Sequence, residues 1–363
     1  MNLSDRLDRF QRSHRVLGVP IAIAYKFFDD QGNYLSAMIT YYAFIAIFPL
    51  LLIGSSVLGF VLQGNDSLRD DILNSTLRQF PIIGDQLGRP EGLRGSVTAV
   101  VVGAAAALYG ALGLGQAIQN AMNIAWAVPR NSRPNPFLLR LRSLFLLVTA
   151  GFALLAVSLV SVIGSNAEVF SARIDTTLRW LINLITVAVI ALMLTMLFRL
   201  AAAHRHDFRA ALPGALFVAI MWQSLQLAGS VYVKNVIGQA SAMNATFALV
   251  LGLIALIFIA AAMALIGIEI NVVLCKGLYP RALLTPFTDN VDLTEADRRA
   301  YVEYAQAQRH KGFERVQVIF DERRREAAAA EYEAGDAPLP PARLPTRMCG
   351  RPDSSLTAPT YSV

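Results

Sequence analysis

One carboxylate stands apart by its surroundings. Glu269 is the only acidic residue inside any of six long apolar blocks of this 363-residue chain. A charge at the centre of a bilayer costs about 2.5–3.5 kcal/mol on insertion scales. Glu269 lies about nine residues from the middle of its block, roughly 13 Å at 1.5 Å per residue, so it falls near the edge of the hydrocarbon. A carboxylate there can hold a cation, carry a proton, or make a structural ion pair with Arg142 or Arg199, which are expected at similar depth. Other polar side chains recur at that depth. Thr40, Tyr41 and Tyr42 lie in the first block, Gln119, Asn120 and Asn123 in the second, and Asn271 stands two residues beyond Glu269. Unpaired polar groups are costly in lipid. These side chains are therefore expected to face one another as a polar pocket, open to the cytoplasm and centred on Glu269.

Catalytic constellations are scarcer. Of the four histidines, only His204-Arg205-His206-Asp207 resembles a ligand set, and it sits in a short basic loop. Two histidines and one aspartate do not complete a two-metal centre for phosphodiester cleavage. There is no P-loop, no Gly-x-Ser-x-Gly element and no Cys-x-x-Cys pair. No enzyme activity, metal, cofactor or specific nucleic-acid partner is expected.

The elements that position these residues follow from composition. Hydrophobic residues make up 55% and charged residues 16%, with a mean hydropathy of +0.47. Soluble domains carry about a quarter charged residues, so most of this chain does not face water. The apolar blocks run over about 35–62, 97–127, 144–163, 178–200, 211–233 and 246–274. Each reaches the roughly 20 residues needed to cross a hydrocarbon core. Helices are the expected spanning form, because lipid offers no partner for a free backbone N–H or C=O. The fold class is an all-α membrane protein, a bundle of six transmembrane helices. Within the first, Pro49 removes a backbone donor and predicts a kink.

Basic residues give the sidedness. If the first span starts from the cytoplasm, 25 of the 32 Lys and Arg fall in the N-terminal arm, the second and fourth loops and the tail, against 7 in the alternate loops. Basic residues resist translocation, which places both termini in the cytoplasm. The net charge of +6 follows this loop placement and does not indicate nucleic acid. Cys275 and Cys349 both fall on the inner side, so no disulfide is expected, and no cleavable signal is read at the start of the chain.

Outside the bundle, residues 1–34 form a basic arm. Leu3, Leu7, Phe10 and Leu17 alternate with Arg6, Arg9, Arg12 and Arg15 at helical spacing, which suits either an amphipathic helix on the anionic inner leaflet or a plain solvated helix. The first outer loop carries a second apolar stripe, Leu68, Ile72, Leu73, Leu77 and Phe80. Residues 276–334 read as a charged helical tail, starting at a Thr294/Asp297 capping box and running to about Glu333. Residues 335–363 have no apolar period and are expected to be disordered.

Two segments carry a family resemblance. The first span contains Thr40-Tyr41-Tyr42 followed by Phe48-Pro49-Leu50, and the last ends Gly267-Ile268-Glu269-Ile270-Asn271. Between them come Asn120, Met122-Asn123-Ile124, Arg133-Pro134 and Pro213-Gly214-Ala215. In this order and spacing, over about residues 20–285, they resemble the YihY/BrkB family of bacterial inner-membrane proteins. The resemblance implies six spans in the plasma membrane with no settled activity. Members are often named ribonuclease BN, and some serum-resistance or virulence factors; the histidine content argues against the ribonuclease name here. Ala46 stands where the family often has serine, and Leu256 and Phe258 where Trp and Tyr are usual.

Two function classes follow. One is a transporter or exporter of a small molecule or lipid using the pocket around Glu269. The other is a non-transporting membrane scaffold or envelope-associated protein acting through its cytoplasmic tail. Composition does not specify an oligomeric state. Periplasm-active reporters fused at either terminus or within 130–142 are expected to be inactive, and the same reporters within 63–95 active; a reversed pattern overturns the topology.

Overall fold

The computed structural model describes residues 3–61, 97–135, 137–152, 176–202, 207–237, 242–286 and 291–321. Every regular element among the described residues is helical, and none is a strand. We number the helices α1 (Leu3–Ser13), α2 (Arg15–Asp29), α3 (Gly32–Val61), α4 (Val97–Ala125), α5 (137–152), α6 (Thr176–Ala201), α7 (Phe208–Tyr232), α8 (Ala242–Lys276) and α9 (Glu295–Ala307). A short π turn, Val233–Ile237, extends α7.

Three helices are long and apolar enough to cross a membrane among the residues searched: Leu184–Ala201, Phe208–Val236 and Phe247–Lys276. Their large side chains point outward as well as inward. Leu227, Phe247 and Leu251 are about two-thirds exposed, an arrangement that suits lipid rather than water as the surrounding solvent. Helices α3 and α4, of 30 and 29 residues, pack along one another. Helix α3 continues through Pro49. Helix α5 is described over 137–152 and so is already helical ahead of the expected block at 144. The rest of that block, and the apolar stripe of the first outer loop, lie outside the described residues.

The 35-residue α8 is the axis of the bundle, packed against α7, α3, α2 and α4. Its close approach to α7 depends on two glycines. A Cβ on Gly214 would lie 1.8 Å from the Gly267 carbonyl oxygen, and one on Gly267 would lie 2.4 Å from Val218 Cγ2. Likewise a Cβ on Gly110 of α4 would meet the Ala46 backbone of α3 at 2.9 Å. Small residues let spanning helices gain van der Waals contact that lipid cannot offer. One apolar cluster gathers Leu35 of α3, Ala125 of α4, Ala201 of α6, Ala211 of α7 and Val272 of α8. The start of α3 and α7 therefore shares one end of the bundle with the finish of α4, α6 and α8.

At that end the arm and the tail differ from expectation. The arm is two helices, broken at His14, with Arg6, Arg9 and Arg12 in α1 and Arg15 opening α2. Helix α2 packs against α8, with Ala22, Lys26 and Phe27 buried. In the tail the Thr294/Asp297 capping box forms as expected, but α9 stops at Ala307 and residues 308–321 are not helical. There the Arg309 carbonyl accepts from the Asn131 N–H at 3.2 Å, tying the chain to the loop after α4. Residues beyond 321 lie outside the described residues.

Gly214→Ala is expected to destabilise the protein by about 3 kcal/mol or more, because backbone on both sides prevents relief. Gly151→Ala, where no atom lies within 4 Å of an added Cβ, should be neutral. Thermal unfolding of the two variants in detergent checks the contrast.

Candidate functional site

The site is built where α8 emerges from the bundle. Its last turns carry Glu269 and Asn271, and Gly277 ends the helix in the left-handed conformation (φ +62°), with the Leu278 N–H returning to the Val273 carbonyl at 3.1 Å. This is the C-terminal closure that favours glycine. The chain then passes a cis Tyr279–Pro280 bond and reaches Arg281.

Glu269 is 1% exposed. Its cationic neighbour is neither Arg142 nor Arg199 but Lys26 of α2, whose Nζ stands 3.6 Å from Glu269 Oε2. Lys26, itself 1% exposed, also donates to Asp30 one helical turn on. Asp30 is 4% exposed. The ring of Tyr304 from α9 faces the same ammonium, 5.0 Å from Nζ to the ring centroid, within cation–π range. Three buried oxygens of this cluster have no hydrogen-bond partner: Glu269 Oε2, Asp30 Oδ1 and the Tyr304 hydroxyl. Burial, reinforced by the charges of Asp30, Asp29 and Glu269, pushes Tyr304 well above its ordinary pKa, so the phenol keeps its proton.

A second charged cluster abuts the first. Arg281, 1% exposed, donates to Asp297 of α9 and to Asp29 at 3.2 Å, with Tyr25 and Tyr301 beside its guanidinium. Burial works to lower the Arg281 pKa, but the Asp297 hydrogen bond and the charges of Asp297 and Asp29 outweigh it and raise the value. Burial raises the Asp29 carboxyl, against the pull of Arg281. Asp297 also accepts from the N–H groups of Ala282 (3.0 Å) and Thr294 (2.9 Å). The adjacent acids Asp29 and Asp30 thus engage different cations, one joining the tail helix and the other the core of the bundle.

The remaining sequence-predicted residues fall into separate contacts. The Asn271 amide meets the backbone around Pro213, accepting from Gly214 N at 2.7 Å and donating to the Ala211 carbonyl at 3.1 Å. Gln119 donates to Ser143 Oγ at 2.8 Å, and Asn120 accepts from Arg133 at 3.4 Å. Asn123 is buried with its amide oxygen unpartnered. Arg142 donates to the Leu200 carbonyl at 2.8 Å and to the Ala202 carbonyl, closing the end of α6, a favourable place for a cation. The Thr40 hydroxyl donates to Ser36 of its own helix. Tyr41 is exposed, and Tyr42 packs beside Tyr109. Arg199 and Asn271 line a cavity of about 10 Å³, room for roughly one water and far below the ~300 Å³ of a small-molecule pocket. Of the ten, only Glu269 belongs to the buried charged cluster. His204 and His206 lie outside the described residues.

Sequence reading missed Lys26, Asp30 and Tyr304. A signal was available: two aspartates at the C-terminus of α2 oppose the helix dipole, a local conflict that calls for cationic partners.

Comparison with known proteins bears on the same stretch. The family described as Virulence factor BrkB matches residues 23–284. The chain belongs to this family. Lys26, Asp29, Asp30, Glu269 and Arg281 all fall inside the matched stretch, while Asp297 and Tyr304 of α9 lie beyond it. An uncharacterized protein of Dickeya dadantii (strain 3937) is 27% identical over 69% of this chain and 83% of its own length. The inner membrane protein YhjD of Escherichia coli (strain K12) is 26% identical over 66% of this chain and 76% of its own. No solved structure matches the chain. Membership of the BrkB family, an inner-membrane relative and three apolar helices able to span place the protein in the bacterial plasma (inner) membrane.

Asp297→Ala leaves Arg281 buried without its main partner and is expected to cost about 3–5 kcal/mol. Glu303→Ala, which breaks the partly exposed pair with Lys276 at 2.8 Å, should cost no more than about 1 kcal/mol. Thermal stability and the rate of protease cleavage within 308–321 measure both.

Proposed function

We propose that this BrkB-family member is a six-span plasma-membrane protein with both termini in the cytoplasm, and that it moves a small solute, ion or lipid across the bilayer. The observation that carries the reading is Glu269: a carboxylate 1% exposed on a 35-residue apolar helix, beside a buried Lys26 and a second carboxylate. Fully buried charges near the membrane boundary are costly, and in membrane proteins they mark ion and substrate paths. The topology rests on the Lys and Arg distribution, and the shared end of α3, α4, α6, α7 and α8 is consistent with it. Hydrolytic chemistry forms no part of the proposal. The arm supports contact with anionic inner-leaflet lipids, since α1 and the start of α2 expose Leu7, Phe10, Val16 and Leu17 alongside Arg6, Arg9 and Arg15.

A second reading has its own support. Helix α9 is docked through Arg281–Asp297 and Lys276–Glu303, so the charged clusters also anchor the start of the cytoplasmic tail, as a non-transporting scaffold acting through that tail requires.

The test is Glu269→Gln against truncation after Asp321, both introduced into cells lacking the native copy and both checked for insertion. The carrier reading expects Glu269→Gln to abolish the growth or export phenotype and the truncation to spare it. The opposite pattern establishes the scaffold and defeats transport.

A further inference from the structure

The buried cluster narrows the class of ion, and this step rests on the carrier reading above. Three oxygens sealed from solvent lack hydrogen-bond partners, Glu269 Oε2, Asp30 Oδ1 and the Tyr304 hydroxyl. Their side chains gather around one ammonium: Lys26 Nζ donates to Asp30, stands 3.6 Å from Glu269 Oε2 and lies 5.0 Å from the centroid of the Tyr304 ring. Each comes from a different element, the end of α2, the last turns of α8 and the tail helix α9. Two carboxylates and one ammonium leave the cluster one negative charge in excess in a setting where an uncompensated charge is strongly disfavoured. One added positive charge neutralises it.

We infer that Asp30, Glu269 and Tyr304 form a binding site for a single exchangeable proton, with Lys26 as its fixed counter-charge. Geometry selects the proton over a metal ion. A hard metal cation takes about six or more oxygen ligands; here three oxygens converge, and the Lys26 ammonium stands 3.6 Å from Glu269 Oε2, where it would repel a second bulky cation. A proton needs only one oxygen to bond and one to accept from it. The acceptor in this arrangement is Asp30 Oδ1 or Glu269 Oε2, according to which carboxyl holds the proton. The unpaired Tyr304 hydroxyl carries an O–H able to donate to the site, and its ring forms the face toward α9. Uptake of one proton brings the cluster to neutrality, and its release restores a single negative charge.

The full chain in lipid nanodiscs tests this by infrared difference spectroscopy across a pH titration, run in H₂O and D₂O. A carboxylic-acid carbonyl band is expected that shifts in D₂O, disappears as pH rises, and is lost in Glu269→Gln and displaced in Tyr304→Phe. Modification by dicyclohexylcarbodiimide, read by peptide mass, should fall on Glu269 or Asp30 and be unaffected by sodium or potassium at constant pH. Absence of the band from the native chain overturns the proton site, as does protection by either metal ion. If Glu269→Gln proves unfolded by size exclusion, Asp30→Asn replaces it, with loss of the same band expected and its retention unchanged contradicting the site. The two readings part cleanly. A titrating band with an unaltered export phenotype in Glu269→Gln upholds the proton site and defeats the carrier; no band with an abolished phenotype does the reverse.

Discussion

Charge with no access to water has to be met by protein, and at the Lys276 end of this bundle that requirement organises everything nearby. Lys26, Glu269 and Arg281 are each 1% exposed and Asp297 is fully buried. Removing such groups from water costs several kcal/mol per ion even after relaxation, so none is tolerated unless its partners are held in place. The partners come from far apart in the chain: the end of α2, the last turns of α8, the loop that follows and the tail helix. Helix α2 therefore packs against the bundle rather than lying free as part of a basic arm.

The same constraint explains the smaller polar contacts. Hydroxyls inside helices return to their own backbone, as Thr40 does to Ser36 and Thr195 to Ala191, which satisfies them without a neighbour. Arg142 meets the closing carbonyls of α6, and Asn271 meets the backbone around Pro213. Lys276 joins the Trp126 carbonyl to Glu303. Each is a local solution to an exposed backbone or side-chain group. Together they engage several of the polar residues that the sequence assigns to one pocket. The close glycine contacts between α7 and α8 add to this by bringing helices too near for a wide polar cleft between them.

The division of the charged residues also bears on how the molecule is assembled. The cluster around Glu269 lies largely in the stretch matched by the BrkB family, whereas its Tyr304 face is contributed by a helix beyond that stretch. Asp297 performs two tasks at once, closing the first turn of α9 and neutralising Arg281. The folding of the tail helix and its docking are thus tied to one carboxylate. Asp29 links the same arginine to α2, so arm, axis and tail meet in a single polar layer beneath the apolar core.

What the sequence alone determined was the solvent and the rough placement of helices. Apolar blocks of about 20 residues or more with few charges leave no alternative to helices in lipid, and α3, α4, α7 and α8 begin and end within a few residues of those blocks. The capping box at Thr294 was equally legible, since a cap is a contact between residues three apart. The family, too, was readable from short motifs in order. The tertiary structure alone decided which polar residues meet. Glu269 stood out as an anomaly, but its neighbour Lys26 lies 243 positions away and looked like one more basic residue of the arm. Depth in the membrane can be read from hydropathy, because it depends on distance along the chain. The direction a side chain takes around its helix, and hence its partner, depends on how helices pack, and that is set by contacts such as Gly214 on Gly267 between residues remote in sequence.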